Sequence, residues 1–161
     1  MAVTTRHYRP EDRQSFIDLN RAWIEEYFTM EHSDREQLEG LEASILGKGG
    51  QIVVALLDDV VVGTGAILPP HIDPGDGRKW LEIVKMAARK DVRGQGIGRA
   101  VLEALIAEAR SMGVDSIWLE TNGDLKAAIR LYEKSGFRHL AADELWPTPY
   151  ARCNVQMVLE A

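Results

Sequence analysis

The segment Arg93-Gly94-Gln95-Gly96-Ile97-Gly98 has the residue types and spacing to hold an anion. Glycines let a backbone turn tightly and approach a ligand with no Cβ in the way. An apolar stripe follows (Ile97, Val101, Leu102, Leu105, Ile106, Ala109 and Met112) and predicts a helix that starts at the last of these glycines. Amides at a helix start lack intrahelical partners and carry partial positive charge, which suits a phosphate. Lys85, Arg89, Lys90, Arg93 and Arg99 cluster around the segment in a chain whose formal net charge is −6. Two other phosphate motifs do not fit. The dinucleotide fingerprint needs Gly-x-Gly-x-x-Gly after an early strand; here the third glycine comes one residue too soon, in mid-chain. The Gly-Lys-Ser/Thr ending of a P-loop is absent. A glycine-rich turn that binds nothing stays open on this segment alone.

Several other residues have the chemistry to move protons. Glu82 lies in the run Trp80 to Ala88, mostly apolar on both faces and therefore a central strand. Desolvation there should raise its pKa and make it a candidate proton acceptor. The alternatives are a nearby cation or solvent at the strand start. Lys85 and Glu120 are charges on strands that should be neighbours, and leaving either unpaired is costly. They are expected to pair or share a hydrogen-bond network, unless each reaches solvent at a strand end. Leu125, Ala128, Ile129 and Tyr132 recur at i, i+3, i+4 and i+7, which places Tyr132 on the buried stripe of a helix.

These residues must be positioned by one domain, expected to span 1–161. Hydrophobic residues make up 45% and charged residues 27%, as in a soluble globular chain. The acidic balance argues against nucleic-acid or membrane-surface partners, which need a basic face. No stretch approaches the ~18 apolar residues of a membrane span, and no leader-like apolar run opens the sequence, so a cytoplasmic location is expected. The single cysteine, Cys153, excludes an intrachain disulfide and has no cluster of metal ligands around it; no metal is expected. Patterning predicts a strand at 3–8 and a helix from Pro10-Glu11-Asp12 with Phe16, Leu19, Trp23 and Tyr27 on its apolar face. A second helix, capped by Ser33 or Asp34, should run to about Leu46. A hairpin at 51–57 and 60–68 turns at Asp58-Asp59. A loop at 69–79 leads to the strand 80–88, and the helix after the glycines is followed by a strand at 115–121. A helix at 124–135 and strands at 137–145 and 152–159 close the chain. This order is α/β, with a mixed sheet and a parallel crossover over 80–121.

Arg93-Gly94-Gln95-Gly96-Ile97-Gly98 resembles the Arg/Gln-x-x-Gly-x-Gly/Ala signature of the GNAT superfamily of acetyl-CoA-dependent N-acetyltransferases. Leu81 to Ala87 looks like the strand before it, Leu119-Glu120-Thr121-Asn122 like the end of the next strand, and Ala127 to Phe137 like the family's Ala-x-x-Leu-Tyr-x-x-x-Gly-Phe segment. The resemblance implies a mostly antiparallel seven-stranded sheet with a central parallel pair splayed around the cofactor, flanked by about four helices. It implies acetyl-CoA as acyl donor, its pyrophosphate on the loop 93–99 (Arg93, Gly94, Gln95, Gly96, Ile97, Gly98 and Arg99). Its pantetheine arm would lie along Met86, Ala87 and Ala88, with Asn122 facing it. Tyr132 would protonate the leaving thiolate, the alternative being a core aromatic bonded to backbone. Glu82 would take the proton of the amine, as a glutamate does at the matching position of some members. A backbone amide near Met86 or Ala87 would stabilise the oxyanion.

The acceptor side is less specific. Trp23, Tyr27, Phe28, Met30, His32, Trp80, Trp146, Tyr150 and Arg152 are candidates, most of them equally suited to core or dimer contacts. Arg152 with an aromatic wall could bind an amine that also carries a carboxylate. Asp73 and Asp76 in the loop 69–79 could attract a cation. The reading favoured here is acetyl transfer to the primary amine of a small molecule. Modification of a protein N-terminus or lysine, and a non-catalytic acyl-CoA sensor, stay open, as does a homodimer.

Overall fold

The computed structural model describes residues 2–161. Seven strands form one sheet in the order β1-β2-β3-β4-β5-β7-β6, antiparallel throughout except for β4 against β5. The strands are β1 (Thr4–His7), β2 (Gln51–Leu57), β3 (Val60–Leu68), β4 (Trp80–Ala88), β5 (Ser116–Thr121), β6 (Arg138–His139) and β7 (Val155–Glu160). The helices are α1 (Arg13–Tyr27), α2 (His32–Glu39), α3 (Leu41–Ser44), α4 (Ile97–Ser111) and α5 (Lys126–Lys134). The mixed α/β class and the central parallel pair are as the sequence predicts. Asp58 and Asp59 both adopt positive φ, the conformation a two-residue hairpin turn with the right twist requires.

Two elements differ from expectation. The predicted helix to Leu46 breaks at Gly40, which leaves helical dihedrals at φ −112°, ψ 40°, so five helices flank the sheet. Its first turn is capped by Glu31 rather than Ser33 or Asp34; Asp34 sits three residues in and accepts the Glu31 amide at 3.0 Å. The last two strands are shorter than expected, and 140–154 is largely irregular. Pro147 and Pro149 supply no N–H for a ladder there.

The core lies on both faces of the sheet. Val101, Leu102, Leu105 and Ile106 of α4 pack with Val53, Ile67, Ile83 and Ile117 on one face, joined by Tyr132 and Phe137. Phe16, Leu38, Leu41 and Ile45 of α1–α3 cover Ile52 and Ala66 on the other. Each such side chain contributes about 1.5–3 kcal/mol of burial.

Two irregularities in β4 create the site. Ala66 pairs with Val84 and Thr64 with Ala87, so Gly65 alone stands against Lys85 and Met86. This bulge puts Lys85 at φ 58°. The parallel ladder from Trp80↔Ser116 ends at Glu82↔Trp118, although β4 continues to Ala88 and β5 to Thr121. Beyond Glu82 the central strands therefore part.

Candidate active site

The gap between β4 and β5 opens into a cleft of about 450 Å³. The glycine loop forms one end of it. Gly94 and Gly96 have φ of 87° and 81°, and nothing lies within 4 Å of where their Cβ atoms would be. Gly96 is the N-cap of α4 and no side chain caps that helix, so its first amides are available to an anion. Arg93, Gly94, Gly96, Ile97, Gly98 and Arg99 line the cleft; Gln95 is exposed and does not. Met86, Ala87, Ala88 and Asn122 line its middle. Asn122 is also a tie, donating to the Arg152 carbonyl at 2.7 Å and accepting the Asp124 amide at 2.8 Å.

The basic cluster is not the free patch its sequence suggests. Lys85 pairs with Asp34, Arg89 with Asp91, Arg93 with Glu26 and Arg99 with Glu103. Arg93 is a strut. It donates to Glu26 at 2.7 Å and to the Ala88 carbonyl at 3.2 and 3.3 Å, and stacks 4.6 Å from the Trp23 ring. The loop amides are therefore the groups left free for an anion, with Arg99 the cation best able to join them. Its exposed i,i+4 pair with Glu103 is weak enough to exchange partners.

Tyr132 is buried on α5 and lines the same cleft. Its ring meets Phe137 edge-on at 5.9 Å. Among the described residues nothing accepts its hydroxyl proton, and burial pushes its pKa up to about 12, so it holds that proton at neutral pH.

Glu82 is buried, as expected, but not isolated. One carboxyl oxygen accepts both the His71 amide at 3.1 Å and His71 Nδ1 at 2.9 Å. His71 Nε2 donates to the Pro147 carbonyl at 2.6 Å. Both ring nitrogens thus face acceptors, which requires the doubly protonated ring. The hydrogen bond that His71 donates to Glu82 is the main cause that raises the His71 pKa to about 9, against the opposing effect of burial. No sequence signal marked His71, a single histidine in a proline-rich loop.

The expected Lys85–Glu120 pair does not form. The bulge brings Lys85 onto the face covered by α2, where its Nζ lies 3.2 Å from Asp34. Asp34 is fully buried and also accepts Arg152 at 2.7 and 2.8 Å. Burial alone would raise the Asp34 carboxyl; Arg152, Lys85 and the Glu31 amide outweigh it and hold it below its usual value. Burial lowers the pKa of Lys85. Glu120 is left with both carboxyl oxygens buried and, among the described residues, no group in hydrogen-bond geometry to them. Desolvation raises its pKa to about 7, with the charge of Glu82 adding to the effect and Thr148, His71 and Arg152 opposing it.

Trp23, Phe28, Tyr150 and Arg152 line the cleft, while Trp146 stacks on Trp118 and meets Trp80 edge-on. His32 projects into solvent against Glu36. Asp73 and Asp76 are used within their own loop, by the Gly75 amide and by the Arg78 amide and Trp80 indole. Cys153 lines the cleft, but burial raises its thiol to about 12, so it stays protonated.

The model of the acetyltransferase (GNAT) family matches residues 17–137, three-quarters of the chain, including the glycine loop, β4, β5 and α5. The chain belongs to the GNAT acetyltransferase family. Among curated relatives it is similar to N-acetyltransferase 8F1 of Rattus norvegicus, 34% identical over 104 residues, 65% of this chain and 47% of that protein. It is similar also to YjgM of Escherichia coli K12, named an uncharacterized N-acetyltransferase, at 36% over 100 residues, 62% of this chain and 58% of that one. The chain thus spans about half the length of these GNAT relatives. In fold it matches a GNAT-family acetyltransferase of Staphylococcus aureus Mu50 with a TM-score of 0.83 at 21% identity, covering 99% of both chains. It also matches yncA of Salmonella typhimurium, solved with its cofactor acetyl-CoA, with a TM-score of 0.75 at 22% identity, covering 99% of this chain and 94% of that one.

Proposed function

We propose that this GNAT protein transfers an acetyl group from acetyl-CoA to the primary amine of a small molecule by direct attack. The observation that carries the reading is a single cleft holding open helix-start amides, a carboxyl poised near pH 7 and a buried, protonated tyrosine. The residues fit the donor. Gly94 and Gly96 leave space for a phosphate against the α4 amides, and the parted strands leave Met86 to Ala88 with backbone groups free of β5. The same donor in the yncA structure supports this.

When bound, acetyl-CoA supplies the acetyl group as an activated thioester. Glu120 receives the proton that the attacking amine must lose; desolvation lifts its pKa to about 7, and the nearby Thr148 hydroxyl opposes that rise only in part. Glu82 was the sequence candidate for that step, but two His71 donors occupy one of its oxygens. Its role is to keep His71 cationic and the loop 69–79 in place. The amides of the bulge near Met86 stabilise the negative charge that develops on the carbonyl oxygen. Tyr132 gives its proton to the departing sulfur. The test is release of free CoA thiol from acetyl-CoA on addition of amines. Release that needs both amine and protein supports transfer; acetyl-CoA bound but never consumed across an amine panel would favour a sensor.

A further inference from the structure

Resting on that reading, we infer that the acceptor is a monocationic amine with no carboxylate or other acidic group, its ammonium drawn to Glu120 and its body against Phe28 and Tyr150. The charges at the acceptor end carry this. Lys85 and Arg152 form a closed cluster with Asp34 and Glu31. Arg152 spends one nitrogen on both carboxylates and a second on Asp34, at 2.7 to 3.1 Å. His71 is matched by Glu82. Three cations thus face four carboxylates, and the carboxylate left over is Glu120, which pairs with no cation among the described residues.

An acceptor carboxylate would add a fifth negative group where every cation is already neutralised. Like charges brought together in a low-dielectric site are a strong basis for discrimination. An ammonium has the opposite prospect: Glu120 supplies the missing counter-charge and then accepts the proton that frees the nucleophilic lone pair. Arg152 is therefore not a substrate-carboxylate clamp. Its guanidinium lies 4.5 Å from the Tyr150 ring and holds that ring as a wall of the cleft.

The test compares matched acceptors on the full chain with acetyl-CoA, rates being expressed per free amine: 2-phenylethylamine, L-phenylalaninamide and L-phenylalanine, with isoamylamine, L-leucinamide and L-leucine as a second series. We expect kcat/KM for the amine or amide to exceed that of the amino acid at least tenfold in the series that fits the cleft. Glu31→Gln, which removes one of the two carboxylates on Arg152, should narrow that gap severalfold while leaving acetyl-CoA affinity unchanged. Amino acids used as well as their amides, or a gap unmoved by Glu31→Gln, would overturn the inference and leave acetyl transfer standing. No CoA release with any amine, despite acetyl-CoA binding, would remove the transfer reading and this inference with it.

Discussion

The Thr64 hydroxyl donates a 2.9 Å hydrogen bond to the carbonyl of Lys85, the one residue of β4 held at positive φ. Asn20 of α1 donates to that hydroxyl at 3.1 Å and to the Phe16 carbonyl at 2.9 Å. Both Asn20 and Thr64 are buried. A three-part strut thus fixes the bulge that borders the cleft. Thr64→Val keeps the shape but leaves the Asn20 amide and the Lys85 carbonyl short of partners. It should cost about 1–3 kcal/mol in urea unfolding and lower kcat, whereas Thr64→Ser should restore both. Valine at full activity would show that the strut does not position the bulge.

Removing the Glu120 charge should affect rate and stability in opposite directions. Its folded pKa, about 7, lies above its unfolded value, so its contribution to stability is complete at low pH and is lost as pH rises through about 7. Glu120→Gln should therefore be more stable than the parent at pH 8, by about 1–3 kcal/mol. The same variant should lose the rise of kcat/KM with pH centred near 7. An unchanged pH profile would remove Glu120 from proton transfer.

His71 titrates at the other end of the range. With a folded pKa of about 9 above the unfolded value, it stabilises fully below about pH 6.5, and that contribution disappears as pH climbs through about 9. His71→Gln should cost about 1–3 kcal/mol at pH 6 and much less at pH 10. Paired urea titrations at the two pH values measure the difference, and an equal deficit at both would show that the ring is not charged.

Tyr132→Phe removes a hydroxyl that has no partner among the described residues, so thermal stability should hardly change. Turnover should fall about 100-fold or more, the usual contribution of a positioned acid, with acetyl-CoA affinity within about twofold of the parent. Isothermal titration alongside steady-state rates separates the two. A phenylalanine enzyme with normal turnover would assign the proton on sulfur to another donor.

The parts of the site that local chemistry dictates were legible in the sequence. Gly94 and Gly96 are required by their backbone angles, and Tyr132 by the period of its helix. What could not be read was pairing across distance. Lys85 and Glu120 sit on adjacent strands and look like partners. The bulge in β4 turns Lys85 towards Asp34 of α2 instead, and no residue type announces that bulge. Asp34 has the look of a helix cap, and only the packing of α2 shows it buried between Lys85 and Arg152. The basic cluster misled for the same reason, since Glu26 lies 67 residues from the Arg93 it neutralises.

Past Glu82 and Trp118, β4 and β5 each turn a bare edge toward the other rather than toward solvent. Edges on the outside of a sheet recruit other chains and have to be defended. These are recessed behind α1 and α5, so the molecule keeps a place for strand addition without exposing it to aggregation. A ligand arm that carries amide groups can fill that place as an eighth strand would. Folding and occupancy are then linked: a ligand bound only by the folded form raises stability by RT ln(1 + [L]/Kd), and the melting temperature becomes a direct gauge of how full the sheet is.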